Sequence, residues 1–300
     1  MSKGYDDMLN VSANQAKNKE AFVEESKKNS ANCYEMAEQM LGEIQADGSR
    51  FQMYLDVQSQ FERYTPNNVL LIMAQKTDAK RLGDYNYWKE QGVSVKRAEY
   101  DSPNLILEPG KEYQREDGSK GTYYNAKKIY DISQTTMKEP VEKQESMDER
   151  ILVRALVNHP PVSIVSKEPD SMPDGQAAFF SPKDGCIYVK KGMDVNAIFK
   201  NLIPELVYAE RADGDKNYDC REDAFHAKCV SYMLCRKYGI DTKDFDFQQA
   251  PEFFKDKEPR EMKKELSRIK DSMGNISSRM AKVLEANKEK QYSSSERGTR

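Results

Sequence analysis

Phe199-Lys200-Asn201-Leu202-Ile203-Pro204-Glu205-Leu206-Val207-Tyr208-Ala209 is the stretch that decides how the second half of this chain is read. Ile198, Leu202, Leu206 and Ala209 recur at helical spacing, so the segment predicts a helix with one buried stripe, capped at its start by Asp194. A zinc-hydrolase helix reads H-E-x-x-H: two histidines four residues apart share one face, and the intervening glutamate activates a metal-bound water. Here the glutamate is present as Glu205, but Pro204 and Tyr208 stand where the histidines belong. Proline has no side-chain donor atom, and a phenol oxygen is a poor substitute for imidazole on zinc. Pro204, Glu205 and Tyr208 are therefore expected to be a degenerate remnant, with no catalytic residue, no metal and no cofactor.

The rest of the chain offers no replacement ligands. It has two histidines, His159 and His226, and five cysteines at irregular spacing (Cys33, Cys186, Cys220, Cys229, Cys235) with no C-x-x-C pair. That pattern argues against a disulfide framework and against a Cys/His zinc site, and predicts reduced thiols in a cytoplasmic protein. No apolar run approaches the roughly 20 residues that span a bilayer, and Met1–Asp7 lacks the hydrophobic core of a secretory signal. A membrane partner is not expected. Net charge is −3, so no global field draws the chain to nucleic acid; such binding must come from a local surface.

Periodicity divides the chain. Residues 1–30 are polar and read as a flexible segment. Met36, Met40, Leu41 and Ile44 predict a helix ending near Asp47-Gly48, and Phe51, Tyr54, Leu55 and Phe61 predict a second. Pro66 opens a third, from Asn67 to about Gln75. After Trp88 the period shortens: Val93 and Val95, Leu105-Ile106-Leu107 and Lys127–Ile132 read as strands, with a turn at Asp117-Gly118. Residues 31–137 thus read as helices plus a small antiparallel sheet, and the charged stretch 138–149 as a linker. Residues 150–257 read as a second α+β domain with a strand at Val162–Val165, a hairpin across Ser181–Gly185, the helix quoted above, and a helix from about Arg221 to Tyr238. Met262, Leu266, Ile269, Met273, Ile276, Met280 and Val283 alternate steps of four and three. They predict an amphipathic heptad helix over 258–290 before a disordered tail, 291–300. That helix either packs on its own domain or serves a protein partner or a second copy through 262–283.

Two sets of motifs carry a family resemblance. The first is Tyr64-Thr65-Pro66-Asn67-Asn68-Val69-Leu70-Leu71-Ile72-Met73-Ala74-Gln75, then Trp88, Gly92-Val93-Ser94-Val95-Lys96, and Ile129-Tyr130-Asp131-Ile132-Ser133-Gln134-Thr135. Residues 30–137 thereby resemble the N-terminal single-stranded-DNA-binding domain of ArdC-type antirestriction proteins of conjugative plasmids and integrative elements. One departure is Ala98-Glu99-Tyr100, where the family has a G-E-K turn; losing that lysine removes a phosphate contact. The second set is Phe179–Val189, Gly192-Met193-Asp194, Ala227–Cys235 and Tyr238–Thr242. These are similar to the metallopeptidase-like half of the same family. The resemblance implies a zincin-like α+β domain that has lost its H-E-x-x-H ligands. It places Ala224 at the third, acidic ligand position, with Glu222 and Asp223 one or two residues away.

Single-strand binding needs aromatic platforms and cations along a backbone path. The aromatic residues here are Tyr64, Tyr85, Tyr87, Trp88, Tyr100, Tyr113, Tyr123 and Tyr124, interleaved with Lys76, Lys80, Arg81, Lys89, Lys96, Arg97, Lys127 and Lys128. From these, with the Asn pair, the expected nucleic-acid-binding set is Tyr64, Asn67, Asn68, Tyr85, Tyr87, Trp88, Lys96, Arg97, Tyr123, Tyr124 and Lys127. The competing expectation is that Trp88 and several tyrosines fill a small core. Two other functions compete: a residual hydrolase or metal activity acting through Glu205, Tyr208 and the acidic residues Glu222 and Asp223, and a protein-interaction adaptor without DNA binding. A Glu205–His226 pair facing one cleft is a separate alternative to a solvated or structural role for those two residues. No Ser/His/Asp arrangement, phosphate-binding glycine loop or paired-carboxylate spacing stands out along the chain.

Overall fold

The computed structural model describes residues 4–137, 148–173 and 175–297. Most of the expected linker, and the extreme ends of the expected flexible terminus and tail, lie outside these residues. The helices are α1 (Gly4–Ala46), α2 (Gly48–Gln60), α3 (Pro66–Gln75), α4 (Tyr85–Glu90) and α5 (Glu149–Leu156), then α6 (Val195–Ala212), α7 (Ala224–Lys237), α8 (Ala250–Phe254) and α9 (Pro259–Arg297). The strands are β1 (Leu82–Gly83), β2 (Asn104–Gln114), β3 (Lys120–Asp131), β4 (Ser163–Lys167), β5 (Ala178–Ser181) and β6 (Cys186–Lys190). This is an α+β protein with two small sheets, as its changing periodicity predicts. Helix runs from Gly4 where a flexible segment is expected, and α9 continues to Arg297, into the expected tail.

Two compact units form: Met1–Ile44 with Asn67–Glu142, and Gln45–Pro66 with Lys143–Arg300. The sequence places residues 45–66 with the first domain; in the structure they cluster with the second. The reason is aromatic packing. Phe51 of α2 is fully buried, with its ring centroid 5.3 Å from Phe254, 5.5 Å from Phe225 and 5.8 Å from Phe247. A helix follows its large apolar side chains, and those of α2 find partners later in the chain.

In the first unit the strand order is β1-β3-β2, all antiparallel. The hairpin pairs Asn104 with Ile129 at its base and Gln114 with Lys120 near its tip. β2 is an edge, so the outward N–H and C=O groups of Leu105 and Leu107 need partners from outside the sheet. They find them on α3. Asn68 Nδ2 donates to the Leu107 carbonyl at 2.9 Å, and the Leu107 amide donates to Asn68 Oδ1 at 2.8 Å. One stage along, Gln75 does the same for Leu105, with both bonds at 2.8 Å. Asn68 and Gln75 are seven residues apart, two helical turns, so they face one side of α3 and meet alternate residues of the strand.

The Asp131–Thr135 segment works as a junction. Asp131, 1% exposed, accepts the amides of Lys80 (2.8 Å), Arg81 (3.0 Å) and Ser133 (2.9 Å). Gln134 Oε1 accepts from Asp131 N and Asn104 Nδ2, both at 2.9 Å, and its Nε2 donates to the Ser102 carbonyl. The Val93–Val95 stretch, read as a strand, contributes a single bridge, Val95 to Thr135.

In the second unit the order is β4-β6-β5; β4 runs parallel to β6, and β5 forms the expected antiparallel hairpin with it. Asp194 caps α6 by accepting the Ala197 amide at 2.8 Å. The heptad seam is spent internally: Met262, Leu266, Ile269, Met273, Ile276 and Met280 are at most 1% exposed, and α9 lies against α5 and α7. Those side chains are therefore taken from any partner or second copy.

Replacing Asn68 by Ala strands a buried amide and carbonyl at Leu107. Asn68→Ala is expected to lower unfolding free energy by about 2–4 kcal/mol, read from urea denaturation; a loss below that of an average surface substitution would refute this role.

Candidate functional site

Two places merit description, one in each unit. In the second, α6 and α7 each turn one face to a cleft of about 290 Å³. Lys200, Pro204 and Tyr208 come from α6 at four-residue steps, and Ala224, Lys228 and Ser231 from the first turns of α7. The three positions that the family resemblance assigns to metal ligands, Pro204, Tyr208 and Ala224, do converge. Their chemistry does not fit a metal. Pro204 and Ala224 carry no donor atom. Burial, reinforced by the charge of Glu205, pushes the Tyr208 hydroxyl up to about 12, so phenolate is scarce at neutral pH. The alternative third ligand, Asp223, is already engaged by Tyr218 Oη (2.7 Å), Arg211 Nε (3.1 Å) and Arg268 Nη2 (3.3 Å). Against burial, those partners hold it below the usual carboxylate range. Among the described residues, no three His, Cys, Asp or Glu side chains group as a metal site.

Pro204 sits inside α6 without ending it. Its missing N–H leaves the carbonyl of Lys200, four residues earlier, without the usual helix partner. Ser231 Oγ of α7 donates to that carbonyl at 3.5 Å, a long bond that partly fills the gap.

Glu205 faces the hairpin. Phe180 N donates to Glu205 Oε2 at 2.6 Å. β5 is a sheet edge, and Lys190 N bonds the Ala177 carbonyl on its paired side, so Phe180 points its amide away from the ladder. Glu205 thus caps an edge-strand donor. Burial pushes its carboxyl up to about 7, with the Phe180 amide pulling the other way. Cys220 stands close by, its thiol raised to about 11 by burial and then by the Glu205 charge.

His226 does not pair with Glu205. It is buried between Glu265, whose Oε1 lies 3.1 Å from Nδ1, and Ser272, whose Oγ lies 2.9 Å from Nε2. This Glu–His–Ser relay is invisible in the linear sequence because its members sit on α7 and α9. Arg268 shares Glu265 (2.7 Å) and reaches Asp223, extending it into an ionic network. Against burial, His226 and Arg268 hold Glu265 below its ordinary range. Ser272 lies within α9, where the surrounding amides are committed to the helix and supply no oxyanion hole. The relay fastens α9 to α7.

In the first unit the expected binding residues divide by burial. Trp88 is fully buried, donating Nε1–H to the Tyr130 carbonyl at 3.0 Å inside a cluster with Tyr130 and Ile132. It has no ring face for a base, which corrects its assignment as a stacking platform. Asn68 is likewise consumed by Leu107. Lys127 is held between Asp84 (2.9 Å) and Glu108 (3.1 Å), so its charge is balanced. Tyr87 is half-buried, edge-on to Trp88, and accepts Arg81 Nε and Nη2 at 2.9 and 2.5 Å. Lys96 is exposed and donates to the Ser133 carbonyl at 2.7 Å; Arg97 is exposed on the neighbouring 3₁₀ turn. Asn67 is half-buried at the start of α3, its Oδ1 buried without a partner. Tyr64, part-buried edge-on to Phe61, belongs to the second unit.

Among the described residues, the exposed tyrosines of this unit fall in two groups. Tyr85 and Tyr100 meet edge-on at 6.0 Å. On the outer half of the β2–β3 ribbon, Tyr113 and Tyr123 lie 4.3 Å apart with planes tilted by 34°. Tyr113 rests on its cross-strand partner Gly121, where a Cβ would fall 2.4 Å from the ring. Tyr123 is 58% exposed, and Tyr124 and Tyr34 are exposed too. Burial, then the neighbouring Tyr124, Cys33 and Tyr113, raises the Tyr34 hydroxyl, which places it beside the ribbon. Reading the sequence alone misses Tyr34, since it lies on a helix far from the aromatic run.

By its architecture the chain is an α+β protein, and its α6–α7 pair lines a cleft in which no metal-donor set gathers among the described residues. The structure is similar to the crystal structure of antirestriction ArdC protein from the R388 plasmid in its metal-free form, with TM-score 0.47 and 17% identity over 73% of this chain and 86% of that one. The Mn(II)-bound form gives TM-score 0.46 and 16% identity over 73% and 85%. No protein-family model and no curated protein matches the chain.

The raised carboxyl makes a pH prediction. A folded value near 7 against an ordinary 4.5 means the fold favours protonated Glu205. That stability is complete below about pH 4.5 and is lost as pH rises through about 7. Glu205→Gln keeps an acceptor for Phe180 and is expected to flatten this slope, gaining up to about 3 kcal/mol above pH 7. Denaturation from pH 5 to 8 checks it. Pro204→Ala restores the helix bond to Lys200 and is expected to raise the melting temperature, by the equivalent of about 1–3 kcal/mol.

Proposed function

We propose that this chain is a single-stranded-DNA-binding accessory protein of a conjugative or integrative element, antirestriction-like in role. Its second unit is, in this reading, a catalytically inactive metallopeptidase-like domain. One observation carries the binding proposal: the exposed, mutually oriented rings of Tyr113 and Tyr123, flanked by Tyr124 and Tyr34, on a projecting two-stranded ribbon. Bases have two π-faces and stack on such rings whatever their sequence. The motif resemblance over residues 30–137 supports the same reading, and the link to an element entering as a single strand rests on that resemblance alone.

Charge plays the smaller part. Lys120 pairs with Glu112, Lys127 with Asp84 and Glu108, and Lys128 with Glu25. Of the five ribbon cations, Lys111 and Arg115 are exposed with no ion pair among the described residues, and outside the ribbon Lys96 and Arg97 are exposed and likewise without one. With three of the ribbon's five cations paired, stacking carries more of the affinity there than phosphate neutralisation.

A second reading has one observation in its favour. A carboxyl titrating near 7, as Glu205 does, suits a general base. Its Oε2 is engaged by the Phe180 amide, however, no metal-donor group is found among the described residues, and burial holds the neighbouring Cys220 thiol up at about 11.

Fluorescent single- and double-stranded oligonucleotides, titrated at two salt concentrations, test the proposal. Single strands are expected to bind with a shallow salt slope, equivalent to about one or two phosphate contacts. Tyr113→Ala with Tyr123→Ala is expected to weaken binding about tenfold or more, from the loss of about 1–3 kcal/mol per stacked base. Absence of binding at low salt, or an unchanged double variant, would refute it.

A further inference from the structure

We propose that the cleft between α6 and α7 binds a small oxyanion, carboxylate or phosphate, carried on an apolar planar body. This goes beyond the DNA-binding reading and does not depend on it. The cleft exists because positions 204 and 224 hold side chains too compact to fill it. Pro204 is flat, and Ala224 is an exposed methyl at the first turn of α7. A volume of about 290 Å³ is near the lower end of ligand pockets and admits one ring with a head group.

The sign of the site follows from its lining. Two lysines, Lys200 and Lys228, face one aspartate, Asp244. Lys200 Nζ bonds Asp244 Oδ2 at 2.7 Å, which leaves Asp244 little attraction to offer a cationic guest. Lys228 Nζ donates to the carbonyl of Asp246 and, with the Gln249 amide in the orientation that satisfies both its ends, to the Gln249 side-chain oxygen at 2.6 Å; it also lies 5.2 Å from the Phe247 ring. These partners are neutral, so its charge is not cancelled. An ammonium has three donors, and the two oxygens use two of them. The Tyr208 side chain also lines the cleft and brings a hydroxyl to it. Among the described residues no set of three metal donors gathers here, whereas an anion finds ammonium and hydroxyl donors.

The walls select the body. Pro204 and Phe245 line the cleft with apolar surface. A bare inorganic anion would leave that surface wet, whereas an aromatic ring would cover it. Carboxylate and phosphate heads satisfy the same donors, and affinity decides between them.

The test uses the full ¹⁵N-labelled chain, titrated with phenyl phosphate and with benzoate, with phenol and benzyl alcohol as neutral controls. Saturable amide shifts are expected on residues 200–208 and 224–231, with the anions binding about tenfold or more tighter than the neutral analogues. Tighter phenyl phosphate assigns a phosphate-bearing ligand; tighter benzoate assigns a carboxylate. Lys228→Met is expected to weaken the anions about tenfold. Ala224→Leu, at an exposed position that the fold tolerates, is expected to block both anions by filling the space; an unchanged melting profile shows that the fold is intact. Equal binding of the neutral analogues, indifference to both substitutions, or no saturable shift at millimolar concentrations would each overturn the proposal.

Discussion

A sheet edge must have its outward amides and carbonyls satisfied, and both units of this protein are organised around that constraint. In the first unit the edge is β2, and two side-chain amides on α3 supply the missing partners, Asn68 for Leu107 and Gln75 for Leu105. In the second the edge is β5, and the Glu205 carboxylate takes the outward amide of Phe180. Each solution docks a helix to a sheet at a defined register, because a side chain that pairs with a backbone group leaves no freedom to slide. The hydrophobic contacts then follow that register. Trp88 packs in a buried cluster with Tyr130 and Ile132, and its own N–H finds the Tyr130 carbonyl.

This constraint changes what the prominent motifs mean. Asn68 and Gln75 lie in the asparagine-rich helix that carries the family resemblance, and both are consumed in docking. Asp131 and Gln134 close that resemblance and form a buried junction that ties β3 to the residue 80–81 and 99–104 segments. Such residues preserve a fold rather than touch a ligand. The residues left to meet a partner are plainer in sequence: tyrosines on a charged ribbon, one of them held by a glycine across the strand. Mixed charge on that ribbon separates it from a purely electrostatic DNA surface and gives stacking the larger share of the proposed binding.

The helix pair of the second unit brings together three side chains with little capacity to bind a metal. Pro204, Tyr208 and Ala224 converge on one cleft, yet two of them have no donor atom and the third is a protonated phenol. Pro204 also removes a helix hydrogen bond, and Ser231 stands at the exposed carbonyl. Around this cleft, charge is managed by a network from Arg211 through Asp223, Arg268 and Glu265 to His226 and Ser272. Every buried charge in it has an opposite charge or a hydrogen-bond donor, as burial requires.

Legible in the chain's residues alone are the α+β class, the positions of α3, α6 and α7, the β5–β6 hairpin, and the absence of histidine at 204 and 208. These follow from local rules: helical and alternating periodicity, a capping aspartate, a turn glycine, and the presence or absence of donor atoms in a residue type. The sequence left open whether the Met262–Met280 seam was internal. Only the tertiary structure decided that this seam is covered, that residues 45–66 cluster with the second unit, that Trp88 and Asn68 face inward, and that His226 meets Glu265 and Ser272. Those outcomes depend on partners far along the chain. Burial and hydrogen-bond pairing are properties of two surfaces meeting, and one stretch of sequence specifies only one of them.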